Sequence, residues 1–336
     1  MIYRLKKKCL VGLSAGIVCL LLASCDNSDS TDHSKKTSSQ TRPVRDADTS
    51  AASAGTKLNY YVKCFNTADG AVRSSAQRYV SWFSDAGIGP TGKEKNINTL
   101  GDFTPAELTT CSEAITAAGN VSPSMPELEN AAGRYLSALK ELQPLMSEAY
   151  SYYSQEDYKD DGFEKGKKLH QPLMQSFDNF INVSDEYGKK IDKETSVLYA
   201  KQLSEIEKKE GKHVSYYRLA LVTQGKALTT ILAHESVDIQ RVNKAIENYS
   251  ALLSASRKAT DNESGKPISW SVFLTNADNF LRDCKDRMRR LRDNTPYSRS
   301  EKDLMESSDD IGWTVEGSPM KVIRSYNELV KAGNRL

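Results

Sequence analysis

Histidine is scarce in this chain, with four among 336 residues, and none stands in an HExxH pair; His234-Glu235 is followed by Ser-Val-Asp. No Gly-rich phosphate loop ends in Lys-Ser or Lys-Thr, so a local signature for nucleotide hydrolysis is missing as well. A large excess of one charge is also lacking. Lys and Arg number 46 against 44 Asp and Glu, and Arg4, Lys6, Lys7 and Lys8 lie in the first 25 residues, which hold no acid. The remainder has 42 bases against 44 acids, and a chain so balanced has no basic face for phosphates, which excludes nucleic acid as the expected partner. Long apolar runs are confined to one stretch near the start, so a multi-span membrane protein is excluded too.

That stretch, Leu10 to Leu22, follows the basic head Arg4–Lys8. Its 13 residues fall short of the roughly 20 that a helix needs to cross a hydrocarbon core, but they fit the apolar region of an export signal. It ends in Leu22-Ala23-Ser24-Cys25, which resembles the lipobox of bacterial lipoproteins. The resemblance implies cleavage after Ser24, lipidation of Cys25 and a membrane partner reached through acyl chains. Each buried methylene adds on the order of 0.8 kcal/mol, so several chains hold stably where one binds reversibly. Asp26 follows the cysteine and resembles the signal that retains enteric lipoproteins in the inner membrane. The expected location is the cell envelope, facing the periplasm.

Residues 25–56 contain no aromatic residue, no Leu, Ile, Met or Phe and a single Val44, which predicts a disordered tether. From Lys57 the apolar spacing turns helical and stays so to the C-terminus. Leu58, Tyr61, Val62, Phe65, Val72, Ala76, Tyr79, Val80 and Phe83 mark one face of a helix over about 58–85. Four glycines and Pro90 make 85–103 a long loop. Thr104-Pro105-Ala106-Glu107 then reads as a capping box with proline in the first turn. Further helices are expected over about 124–153, 162–209, 213–235, 238–260, 268–293 and 318–331, with Pro144 and Pro172 as kinks or breaks. Sustained alternation is missing. The expected fold is all-α, a multi-helix bundle of about seven helices over residues 57–336, with the later helices possible as a second half.

Six cysteines, less Cys9 and Cys19 in the signal and Cys25, leave Cys64, Cys111 and Cys284. Cys64 and Cys111 fall in mid-helix on the first two helices, as a bridge between antiparallel neighbours needs, and export favours disulfides. Two buried thiols are the alternative, and Cys284 is expected to be a packed thiol. The acids Glu156, Asp157, Asp160, Asp161 and Glu164 do not follow a calcium loop, because Tyr158 and Lys159 occupy its middle. A helix N-terminus suits them better. No metal and no cofactor is therefore expected. Tyr152, Tyr153, Tyr158, Asp160, Asp161, His170, Tyr216 and Tyr217 form the candidate binding set, against the alternative that tyrosines at helical spacing are packing. The leading expectation is a non-enzymatic module that binds an envelope protein or a small ligand. The alternative is an envelope enzyme whose site joins His170 to the acids at 156–164.

The run Tyr152-Tyr153-Ser154-Gln155-Glu156-Asp157-Tyr158-Lys159-Asp160-Asp161, with Gly166-Lys167 and Leu169-His170-Gln171 after it, resembles the YiiG-type bacterial lipoprotein family. Tyr61-Val62-Lys63-Cys64, Gly89-Pro90-Thr91-Gly92, Glu210-Gly211-Lys212 and Pro296-Tyr297-Ser298 fit the same family in the same order. The resemblance implies a helical exported lipoprotein. It carries no activity, cofactor or catalytic residue.

Overall fold

The computed structural model describes residues 44–336 apart from 262, 264 and 307–310. The signal, Cys25, Asp26 and most of the tether lie outside the described residues. Ten α-helices and one 3₁₀ turn occur among those described, and no strand. They are α1 (Val44–Ser81), α2 (Pro105–Gly119), α3 (Pro126–Ser154), α4 (Tyr158–Asp161), α5 (Glu164–Lys209), α6 (Val214–Leu232), α7 (Ile239–Thr260), α8 (Ser269–Arg292), α9 (Arg299–Glu306) and α10 (Pro319–Gly333). The fold is all-α. The sequence ranges account for eight of these helices, one more than the expected seven or so, and the other two are α4, of four residues, and α9, of eight, whose polar sequences give no apolar stripe to read.

One boundary differs clearly from expectation. The first helix starts at Val44, inside the stretch read as tether. Ala51, Ala52 and Ala54 favour helix without adding an apolar stripe, and Ala54 already packs on the core. Lys57 is buried as well, donating to Val121 O at 2.9 Å and pairing with Glu129. Helix α5 runs from 164 to 209 with Pro172 inside it, and α3 likewise passes through Pro144. Each proline deletes one hydrogen bond, but the apolar stripes on both sides keep the segments packed.

The caps hold where the sequence has them. Thr104 Oγ1 accepts from Glu107 N–H at 3.2 Å while Glu107 Oε2 accepts from Thr104 N–H at 2.7 Å, a reciprocal box. Asp238 and Ser318 cap α7 and α10 in the simpler way.

Helices α1, α2, α3 and α5 pack as one bundle, and α6, α7, α8 and α10 as a second. Helix α5, about 69 Å long at 1.5 Å per residue, serves both. Its run against α1 is antiparallel: Tyr79 meets His170, Asp69 meets Ser184, and Gly55 lies by Leu198. The first core is centred on Phe65, Tyr135, Phe180 and Tyr187, with Tyr135 and Tyr187 ring centroids 4.7 Å apart. The second holds Tyr249, Phe280 and Tyr326. Gly225 lets α6 close on it, since a Cβ there would stand 3.2 Å from Tyr326.

The sulfurs of Cys64 and Cys111 are bonded, tying α1 to α2 with Cα atoms 4.2 Å apart. Cys284 is a free, fully buried thiol, and burial pushes its pKa up.

Candidate functional site

The candidate binding residues divide between two ends of the molecule. Tyr152, Tyr153, Tyr158, Asp160, Asp161 and His170 gather where α3 gives way to α5. Tyr216 and Tyr217 open α6, beside the other end of α5. They do not form one groove. Helix periodicity alone cannot show this, because it gives the face of a residue and not its height along the bundle.

At the first end the side chains point inward. Tyr152, Tyr153 and His170 are buried. The Ala86 carbonyl lies 3.0 Å from His170 Nε2 and can only accept, so Nε2 carries the proton. Nδ1 then accepts from the Tyr79 hydroxyl at 3.1 Å. Burial pulls the His170 pKa below its ordinary value, partly offset by the Ala86 bond. Gly89 lies flat on the imidazole at φ +83°, and a Cβ there would sit 2.5 Å from the ring. Tyr153 packs beside Tyr79 with centroids 6.0 Å apart, and burial pushes its hydroxyl up to about 12. Gly166 allows this closeness, since its Cβ would stand 2.8 Å from Tyr153 Oη and 3.1 Å from Tyr152.

The acids are spent on local structure. Asp161 Oδ1 accepts from the Tyr152 hydroxyl at 2.7 Å and the Phe163 N–H at 2.9 Å, and Oδ2 from the Lys165 N–H at 2.9 Å. Desolvation opposes its charge, but these donors at the start of α5 win and lower its pKa. Glu156 pairs with Lys159, and Asp160 is exposed. His170 therefore faces Tyr79 and Ala86 rather than the acids. No group of three or more His, Cys, Asp or Glu able to hold a metal occurs among the described residues.

The loop before His170 holds a spacing that sequence reading passed over. Gly87-x-Gly89-x-x-Gly92 has the letters of a dinucleotide fingerprint but follows a helix and leads into irregular chain, not strand into helix. Its N–H groups are already taken within the chain: those of Gly87, Ile88 and Gly89 donate to Asp85. Glu94 accepts from the N–H groups of Thr91 and Gly92, both at 2.8 Å, and from the Thr91 hydroxyl. Desolvation acts against its charge, yet these bonds hold its pKa below the usual carboxylate value. Replacing Gly89 with alanine should cost about 2 kcal/mol or more, from a left-handed backbone and a ring in its way. Denaturant unfolding reads this; a change under about 0.5 kcal/mol means the loop moves freely off His170.

Besides Lys57, two more buried cations were also missed, since a charged residue in a helical pattern reads as surface. Arg73 pairs through Nε with Asp69 and through Nη2 with Asp185, both at 2.7 Å. Burial opposes its charge, but the two carboxylates prevail and raise its pKa. Arg287, 1% exposed, donates to the carbonyls of Leu232, His234 and Gly317 and to the Tyr297 hydroxyl, and pairs with Glu235 at 3.0 Å. It clasps three connecting segments at once.

At the far end, the turn between α7 and α8 borders a groove of about 510 Å³ lined by Arg257, Thr260, Lys266, Trp270 and Ser271 among others. The Trp270 indole donates to Thr260 Oγ1 at 2.9 Å, and Lys266 Nζ caps α7 through the Thr260 and Asp261 carbonyls at 2.7 and 2.6 Å. Ile268 stands 93% exposed beside it.

These features define a two-bundle helical protein stapled within its first bundle, whose conspicuous tyrosines and histidine are mostly interior. The family described as protein of unknown function (DUF3829) matches residues 52–335, and the chain belongs to it. It is 30% identical over 280 residues to the uncharacterized protein YiiG of Escherichia coli K12, covering 83% of this chain and 78% of that one. No solved structure matches.

Proposed function

We propose that the protein is a lipid-anchored lipoprotein of the bacterial envelope, and that its helical body faces the periplasm as a non-enzymatic binding module for an envelope protein or a small ligand. The observation that carries this reading is Leu22-Ala23-Ser24-Cys25 directly behind an apolar run of 13 residues and a basic head. A bond between Cys64 and Cys111 suits an oxidising compartment. No helix among the described residues is long and apolar enough to cross a membrane, so under this reading the lipid supplies the attachment. The non-enzymatic part is supported by His170, Tyr152 and Tyr153, whose polar atoms turn inward rather than to a cleft. Recognition then falls to the outer surface.

Cys25→Ala should abolish labelling by a radioactive or clickable fatty acid and leave unprocessed precursor in the membrane fraction. Undiminished labelling of that variant sinks the anchor. Asp26 favours the inner membrane, so Asp26→Ser should move the protein outward on a density gradient; wild-type protein already in the outer membrane refutes the sorting.

A further inference from the structure

One end of the molecule collects the start of α1, the turn at Gly211, the α7–α8 turn and the C-terminus. The antiparallel register of α1 on α5 sets this: Gly55 lies by Leu198, and 11 further residues on each helix bring Val44 level with Lys209. His213, just past that turn, lies 3.6 Å from Glu263, and Arg218 donates to Gly333 O at 3.3 Å. The α7–α8 turn thus shares its end with the point where the chain leaves toward Cys25.

Pro267 and Ile268 project from that turn and Val272 lies one helical turn on, all exposed, Ile268 by 93% and Val272 by 53%. Lys266, whose ammonium caps α7, and Arg257, which pairs with Asp278, lie exposed beside them, and Lys258 is exposed in the last turn of α7. Glu263 turns to His213, and Asp261 is the exposed acid nearby.

We infer that the α7–α8 turn is a second contact with the bilayer, in which Ile268 and Val272 enter the interfacial layer while Lys258 and Lys266 stay among the headgroups. This rests on the lipid-anchor reading. The apolar tip is two side chains and a proline, far below the roughly 1,000 Å² that a stable protein partner needs. Two exposed aliphatic side chains with lysines beside them suit an interface of apolar chains under anionic headgroups. The 18 residues between Cys25 and Val44 can span at most about 60 Å, so the anchor keeps this end, before any other, near the membrane. The contact would stand the molecule on the membrane with the Gly89–His170 end outermost.

The test uses the full exported chain carrying Ile268→Cys, labelled with an environment-sensitive fluorophore. Cys284 is buried, Cys64 and Cys111 are bonded and Cys25 carries lipid in the processed chain, so the new thiol is the reactive one; for a chain that takes up no acyl label, Cys9, Cys19 and Cys25 are first replaced by alanine. Ile88→Cys is the control, since Ile88 is 71% exposed at the opposite end, by Gly89. On vesicles of phosphatidylethanolamine and phosphatidylglycerol, the label at 268 should shift to the blue with a roughly twofold gain in emission, and the label at 88 should not change. Adding Val272→Asp should remove most of that gain. A silent label at 268 on an acylated, vesicle-bound chain overturns the tip and leaves the anchor standing. A shift at 268 in a chain that takes up no acyl label upholds the tip and fails the anchor; silence without acyl label fails both. Equal shifts at 88 and 268, or a shift that appears only when membrane proteins are added, overturn the tip.

Discussion

Arg73→Leu should destabilise the protein by about 3–5 kcal/mol, because it leaves Asp69, 1% exposed, without its buried counter-charge. Asp69 retains the Ser184 hydroxyl as a donor, but neutral hydrogen bonding does not offset the lost charge pairing of a buried carboxylate. The damage should be local to the α1–α5 contact, since Asp185, the other partner of Arg73, is partly exposed and can turn to water. Removing both charges in Asp69→Leu/Arg73→Leu should recover much of the loss, as apolar replacement of a buried pair is often close to neutral. Equilibrium urea unfolding of the three chains decides it. A single variant within about 1 kcal/mol of wild type, or a double variant worse than the single, contradicts this account.

Loss of the Cys64–Cys111 bond should cost about 4 kcal/mol on the chain-entropy estimate for a separation of 47 residues. Cys64→Ala/Cys111→Ala is the cleaner variant, because reduction leaves two buried thiols. The fold should survive, since about 280 residues build a large core unaided. The loss should fall on α2, which packs on α1 and α3 and buries only three residues of its own, Cys111, Ala114 and Ala118. Hydrogen exchange should show 105–119 opening first in the bridge-free variant. Full protection there, or an unchanged melting temperature, means that the bond restrains little.

Element type was legible wherever an apolar stripe ran at helical spacing, as from Leu58 to Phe83 or Ile268 to Asp293. Helix starts were legible where chemistry marks them, at Thr104-Pro105 and Ser318-Pro319. The start of α1 was not, because alanines favour a helix without announcing which side is buried. Helix α5 passed unbroken through Pro172, where tertiary packing outweighed one missing hydrogen bond. The candidate site was less legible. Tyr152 and Tyr153 read as groove or, more often at such spacing, as core, and the inward turn of their rings onto Gly166 and Tyr79 decides it. Tyr216 and Tyr217 joined them on composition, yet a property of the long axis separates them. Ile268 was read as the first residue of a helix; its exposure depends on the angle at which the turn leaves the bundle, which no local pattern encodes.

Helix α5 belongs to both bundles and runs as one helix from Glu164 to Lys209, lacking only the hydrogen bond that Pro172 cannot donate. Mechanically it is a shaft rather than a linker. Bending it between the bundles would mean breaking the helix, so the two bodies are coupled as a lever is. A tilt of ~5° at the Lys209 end would carry the Glu164 end, with Gly89 and His170 beside it, through ~6 Å.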